Sequence, residues 1–297
     1  MIKRYLSVTK PGIVIGNLVA AIAGYMLAAK GDIEAAPFLA MTIGIGCVIA
    51  SGCVFNNVVD RDIDGLMRRT RNRVMVRGLI PIHYALIYAT VLGVTGFAVL
   101  AIFNTVLALV FALLGFVVYV GFYTLHFKRE SVFGTLIGSI SGACPPVVGY
   151  CAASSGFDVG ALVLLVTFCL WQIPHSYAIA IYRFTDYKAA KIPVLPIVGG
   201  VATARKQMIA YIAAYTMVAL ALFAFNYVGY AYAILTTLIG LLWLGITVFG
   251  YRRYDSHIWA RQVFIVSIIA IVSLSAVIST DYTSAVQPVA NLVAMMT

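Results

Sequence analysis

A chain of 297 residues that is 63% hydrophobic, 10% charged and has a mean hydropathy of +1.01 cannot hide its apolar surface in a water-soluble fold. Soluble domains carry roughly 25% charged residues, so the composition excludes a soluble enzyme and places the chain in a lipid bilayer. The net charge of +10 would suit a nucleic-acid binder. Those charges are spread over short loops between apolar runs and build no basic domain, so no nucleic-acid partner is expected.

In chain order, nine apolar segments can be laid out, at about 12–29, 37–59, 84–103, 105–125, 132–153, 160–182, 208–226, 228–250 and 263–280. Each is close to the ~20 residues that a membrane span requires. The first follows Lys3, Arg4 and Lys10 without a convincing cleavage site and is read as a retained helix. Gly134, Gly138 and Gly142 carry a spacing that lets membrane helices approach closely. Cys47, Cys53, Cys144, Cys151 and Cys169 form no Cys-x-x-Cys pair and are expected to be small buried hydrophobes. The tail 281–297 carries no motif and is expected to be weakly structured or to lie at the outer interface. The expected architecture is an all-α polytopic bundle of nine transmembrane helices, a single intramembrane domain over 1–297.

With nine spans, 19 of the 20 basic residues fall on one side of the bilayer and only Lys30 on the other. The positive-inside rule then predicts a cytoplasmic N-terminus, an outer C-terminus and long basic loops at 60–83 and 183–207 facing the cytoplasm. Long polar loops on one face of a scaffold are where function concentrates.

The first of these loops opens on Asn56-Asn-Val-Val-Asp60-Arg-Asp-Ile-Asp64. On a helix Asn56, Asp60 and Asp64 share a face, at i, i+4 and i+8. Two carboxylates and an amide oxygen repel one another unless a cation joins them. Asp62 lies roughly 200° around the helix from Asp60 and is expected to pair with a loop arginine. Arginines follow within a few turns, among them Arg69 and Arg73. Hard divalent cations such as Mg2+ bind through one or two carboxylates plus substrate phosphates, and arginines take the remaining phosphate oxygens. The bland alternative is a basic cytoplasmic loop with local ion pairs. The topology rule explains the arginines but not the acidic face.

Three further stretches are candidates. Tyr119-Val-Gly-Phe-Tyr123-Thr-Leu-His-Phe-Lys128-Arg129 ends a span, where its cations can be topology anchors or phosphate ligands. Trp171-Gln-Ile-Pro-His175 puts an ionisable side chain inside a span beside Pro174, which is expected to kink the helix. It leads into the second inner loop. There Asp186 is a candidate for a second metal or phosphate site, and Lys188 and Lys191 are candidates for holding phosphate. Lys10-Pro11 and Asn17, in the first span, carry the weakest signal. Together these elements describe a cavity that is apolar in its body and anion-binding at its mouth. Such a cavity suits a substrate with a hydrocarbon tail and a diphosphate head.

The spacing Asn56-x-x-x-Asp60-x-x-x-Asp64 with Arg69-Thr-Arg-Asn-Arg73 resembles the first signature of the UbiA-like intramembrane prenyltransferases. Tyr123-Thr-Leu-His-Phe-Lys128-Arg129 and Gly142-Ala-Cys-Pro-Pro-Val-Val-Gly149 look like the middle region of that family. Trp171-Gln-Ile-Pro-His175 and Asp186-Tyr-Lys-Ala-Ala-Lys191-Ile-Pro-Val-Leu-Pro196 are similar to its heme-farnesylating branch, and the resemblance runs from about Lys10 to Arg261. It implies transfer of the farnesyl group of farnesyl diphosphate to a vinyl group of heme b, assisted by Mg2+, in a bacterial cytoplasmic (inner) membrane with the active site facing the cytoplasm. It implies that Asn56, Asp60 and Asp64 hold the metal–diphosphate, that Arg69, Arg73 and Lys128 bind phosphate oxygens, and that His175 contacts heme. It further implies use of the product by a terminal oxidase, with a heme-handling or oxidase-assembly partner. The second family signature usually carries several aspartates and here offers only Asp186, which favours the heme branch over branches that prenylate aromatic quinone precursors. A secondary transporter is the alternative from another class. It fits poorly, because no acid lies at the centre of a span.

Overall fold

Hydrocarbon offers the backbone no water, so each long apolar run must satisfy its own N–H and C=O groups by forming a helix. The computed structural model describes residues 1–154 and 156–283, and nine helices among them are long and apolar enough to cross a membrane. They are α1 (Pro11–Ala29), α2 (Ala35–Val59), α3 (Ile82–Phe103), α4 (Val106–Glu130), α5 (Gly134–Ala153), α6 (Val159–Tyr182), α7 (Gly200–Ala224), α8 (Tyr230–Arg252) and α9 (Ser256–Ile278). Short helices flank them at Ile2–Val8, Arg61–Leu66, Phe184–Ala189 and Leu195–Val198. Strand pairing is limited, among the described residues, to an isolated bridge between Val228 and Tyr282. Of the predicted tail, 284–297 lie outside the described residues.

The helices form a ring around a cavity. α1 packs on α5, α2 and α9; α2 pairs with α3; α4 lies on α5; α6 packs on α5, α7 and α9; α8 joins α7 to α9. One buried core, built on Tyr215, Tyr232, Trp243 and Trp259, ties α6 through α9 to α1 and α5. A second, built on Tyr25, Met41 and Leu100, ties α1 through α5 together. Large aliphatic side chains such as Ile87, Val94 and Ile102 on α3 and Ile234, Leu238 and Leu241 on α8 are exposed, as a lipid-facing surface requires.

Two boundaries differ from expectation. The seventh span begins at Gly200 rather than near 208, and the ninth at Ser256 rather than near 263. Polar residues depress hydropathy there, but their side chains reach the membrane edge while the backbone stays helical. Arg205, for example, donates to the Val248 carbonyl at 2.9 Å and lies over the Tyr251 ring at 4.6 Å. α6 runs unbroken through Pro174, and α5 through Pro145 and Pro146.

The closest backbone crossing joins α1 to α5. A Cβ on Gly149 would overlap the Ala21 carbonyl, and one on Gly24 would overlap the Pro146 carbonyl. Backbone cannot yield as a flexible side chain can, so Gly149→Leu forces the helices apart. Overpacking costs about 1–3 kcal/mol and more when backbone must move. We expect Gly149→Leu to lower the melting temperature of the detergent-solubilised protein by several degrees. Gly245→Ala, whose Cβ meets no atom within 4 Å, should leave it unchanged; thermal-shift size-exclusion chromatography reads both.

Candidate active site

The cavity has a volume of about 820 Å³ and is walled by α1, α2, α4, α5, α6 and α9, with the two long basic loops at its mouth. The loops close over one another. Ile63 and Met67 of the first pack on Ala190 and Ile192 of the second, and the Asp186 carboxylate accepts from the Arg68 backbone N–H at 2.9 Å. Asp186 is buried in this clamp and, like Lys191, is not part of the cavity wall. Lys191 is exposed and sits in a left-handed conformation at φ 52°. Of the residues singled out in the sequence, Asn56, Asp64, Arg69, Arg73, Lys128 and His175 line the cavity, while Asp60 stands immediately behind Asn56 and Lys128.

Asn56, Asp60 and Asp64 do not lie on one continuous helix. α2 stops at Val59, Asp60 is the junction, and a new helix starts at Arg61. The backbone bonds nonetheless continue, from Asp60 N–H to Asn56 O at 2.9 Å and from Asp64 N–H to Asp60 O at 2.8 Å, so the shared face survives the break. Asp60 is fully buried and Asp64 is 3% exposed.

Buried carboxylates demand partners. Asp60 is ion-paired with Lys128, receives Asn56 Nδ2 at 2.8 Å and lies 3.5 Å from Arg129. Asp64 pairs with Arg73 at 2.5 Å. Asn56 also donates to the Thr124 hydroxyl at 3.0 Å, and its Oδ1 accepts from Lys10 Nζ at 2.5 Å. With both amide protons spent on oxygen acceptors and the carbonyl facing an ammonium, the amide orientation is fixed by its surroundings. Lys10 occupies a left-handed backbone conformation at φ 52°. Burial, helped by the neighbouring Arg73 and Lys128 charges, pushes its ammonium down to about 8. Asp62 points away from this cluster and pairs with Arg129 at 2.7 Å.

α4 explains how Lys128 reaches Asp60. Its residues Val117–Phe127 form a π-helix. With about 4.4 residues per turn, the nine steps from Tyr119 to Lys128 complete about two turns, and both side chains face the cavity. At 3.6 residues per turn the two would stand on opposite faces. The same winding brings Tyr123 beside Tyr119, with stacked rings 6.1 Å apart, and turns Thr124 toward Asn56.

Deeper on the wall, His175 stacks on Trp171 at 4.5 Å and lies 5.1 Å from the Phe264 ring. Its Nδ1 is 2.7 Å from the Ser267 hydroxyl. In the tautomer in which that hydroxyl gives its proton to the Phe264 carbonyl at 2.6 Å, it accepts from His175 Nδ1–H. Nε2 is thereby left without a proton and with a free lone pair. Trp171 Nε1 donates to the Ser267 carbonyl at 2.8 Å and holds the same turn of α9.

The chain matches the model of the UbiA prenyltransferase family over residues 17–269. The chain belongs to this family. It is similar to "Protoheme IX farnesyltransferase" of Serratia proteamaculans, with 53% identity over 288 residues covering 97% of each chain. It is similar to the protein of that name from Edwardsiella ictaluri, with 55% identity over 282 residues covering 95% of each. Among solved structures, a digeranylgeranylglyceryl phosphate synthase superposes with a TM-score of 0.77 at 16% identity, over 94% of this chain and 98% of that one. A UbiA homolog from Archaeoglobus fulgidus bound to GPP and Mg2+ does so with a TM-score of 0.66 at 18% identity, over 93% and 100%. These solved structures establish a shared fold. As a UbiA-family member the chain is a multi-pass membrane prenyltransferase, which removes the transporter alternative.

Ser267 is the contributor to the site that the sequence did not single out; Lys10, Thr124 and Arg129 lay in stretches noted there, but their partners were not assigned. The detectable signal was a spacing near 4.4 in α4. Lys10 and Ser267 meet partners in distant segments, and Ser267 carries no local mark.

The buried and exposed parts of this network differ in consequence. Asp60→Ala strands the mostly buried Lys128 ammonium, and breaking a buried pair in this way costs about 3–5 kcal/mol. Asp62 is 62% exposed, so Asp62→Ala should cost at most about 1 kcal/mol. Hydrogen bonding from Arg129 holds Asp62 down at about 2. The folded group is thus more acidic than the unfolded one near ~4, so its small contribution is present above pH ~4 and fades as the pH falls toward 2. Thermal melts of the two variants at neutral pH check the ordering.

Proposed function

We propose that this prenyltransferase joins farnesyl diphosphate to a vinyl group of heme b. The observation that carries the reading is the near-full-length similarity to proteins named protoheme IX farnesyltransferase. The cavity supports it, with a cationic, acid-bearing mouth and an apolar wall carrying an oriented histidine. In this reading the diphosphate head lies at the mouth, the farnesyl chain along the apolar wall and the porphyrin against His175.

The donor set fits Mg2+. Two buried carboxylates and an amide carbonyl are hard oxygen donors beside phosphate-binding cations. Asn56, Asp60 and Asp64 would hold the ion, and when bound it supplies Lewis-acid neutralisation of the leaving group. Arg69, Arg73 and Lys128 take phosphate oxygens and draw off charge as the allylic C–O bond breaks, its electron pair leaving with diphosphate. Tyr119 and Tyr123 present ring faces to the allylic cation and stabilise it. The apolar wall excludes water, so the cation survives to meet the vinyl group. The vinyl π-electrons form the new C–C bond. Water then adds to the resulting cation and loses a proton, giving the hydroxyethylfarnesyl side chain and diphosphate. His175, held by Ser267 and Trp171, offers its Nε2 lone pair to the heme iron and fixes the porphyrin. Asp186 acts from outside the wall, by holding the first loop over the mouth, and Lys191 from the loop surface.

The bilayer orientation belongs to the same proposal. The ends of the spans that carry the mouth also carry 19 of the 20 basic residues, which favours a cytoplasmic mouth in the bacterial inner membrane. The product suits a terminal oxidase and a partner that handles heme.

Purified protein supplied with heme b, farnesyl diphosphate and Mg2+ should form heme O, detected by mass spectrometry, and chelation of the metal should abolish it. Prenylation of 4-hydroxybenzoate with no heme product would sink the proposal. His175→Ala should remove the Soret shift that accompanies heme binding and leave pyrophosphate affinity within about threefold of the parent. Equal loss of both would make His175 a packing residue.

A further inference from the structure

Each residue expected to ligate metal has one oxygen held by a cation, and each of these cations comes from a different part of the chain. Lys10, at the start of α1, holds Asn56 Oδ1 at 2.5 Å. Lys128, at the end of the π-helix, holds Asp60 Oδ2. Arg73, in the first inner loop, holds Asp64 Oδ2 at 2.5 Å. All three cations also line the cavity. Among the described residues no three His, Cys, Asp or Glu side chains converge as a metal cage.

This arrangement handicaps either ligand arriving alone. A divalent ion arriving alone must share these three residues with their cations or displace them, and in either case sits among like charges. A diphosphate that draws those cations away leaves two buried carboxylates without partners, at the desolvation cost of an isolated charge. When both arrive, every charge changes partner and none is stranded: oxygens pass to the metal and cations pass to the phosphates. Lys10 has the weakest hold, since its direct partner is neutral, so it gains most from an anionic ligand.

Resting on the reading of this pocket as a metal–diphosphate site, we propose that Lys10, Arg73 and Lys128 lock the metal-ligating oxygens until a diphosphate accepts them. Lys10 is on this account a further diphosphate contact, and metal and diphosphate bind with positive coupling. Coupling of this kind is reciprocal, so each ligand raises the affinity for the other by the same factor.

Equilibrium dialysis of the full-length protein in detergent measures bound Mn2+ and bound inorganic pyrophosphate, each alone and together, with free concentrations corrected for the soluble complex. The parent protein should bind Mn2+ weakly by itself and about 5-fold to 150-fold more tightly with saturating pyrophosphate. Lys10→Gln should strengthen binding of Mn2+ alone, weaken that of pyrophosphate alone, each by about tenfold, and reduce the coupling. Unchanged affinities in Lys10→Gln would make Lys10 a cap on Asn56 and overturn its role. Equal Mn2+ affinity with and without pyrophosphate in the parent would overturn the lock, a result that needs no variant to fold. Mn2+ binding untouched by Asp64→Asn would instead overturn the underlying metal reading.

Discussion

The whole arrangement depends on keeping two carboxylates charged at the end of a hydrophobic helix. Asp60 and Asp64 lie almost entirely out of solvent. Their countercharges come from elements far apart in the chain: the α4 terminus, the first inner loop and, through Asn56, the residue that starts α1. Buried ion pairs roughly break even against well-packed apolar residues, so stability alone gives no reason to build this cluster. Its value lies in what the charges do when a ligand with both signs enters. Lys10 holds a left-handed backbone conformation and α4 is unwound into a π-helix, departures of the kind that persist where surrounding structure over-determines them.

The same cavity has a second, quieter region. Around His175 the contacts are aromatic and neutral, and the hydrogen bonds run in one direction, from imidazole to Ser267 to the Phe264 carbonyl. Charge is concentrated at the mouth, where a leaving group must be held. Apolar surface is concentrated where a cation must last long enough to find carbon rather than water. The clamp between Asp186 and Arg68 joins the two loops above both regions. Through this clamp the second loop supports the first, and its Tyr187, Ile192 and Val194 also line the cavity.

Much of this was legible in the sequence, and the parts that were not share physical causes. The nine spans follow from apolar length, because lipid leaves the backbone few alternatives. The acidic face was visible as Asn56, Asp60 and Asp64, and the pairing of Asp62 with an arginine follows from its direction off that face. Helix starts near Arg205 and Arg261 were lost because hydropathy counts a charge as an exit from the membrane even when the side chain alone leaves. The facing of Tyr119, Thr124 and Lys128 was lost because a 3.6-residue period scatters them and a π-helix gathers them. The partners of Lys10 and Ser267 were invisible because long-range partnership leaves no local pattern. Asp186 was visible as a candidate, but its clamp on the Arg68 backbone N–H was not, because that partner lies in the other loop.

The central claim is that the buried oxygens and their cations exchange partners around a metal–diphosphate. The most direct measurement is a crystal structure with Mn2+ and a non-ionising farnesyl diphosphate analogue, using anomalous scattering to locate the metal. The account predicts Mn2+ bridging the phosphates to Asn56, Asp60 and Asp64, with Lys10, Arg73 and Lys128 moved onto phosphate oxygens. Metal located elsewhere, or the three cations still on Asn56, Asp60 and Asp64 with diphosphate bound, would contradict it.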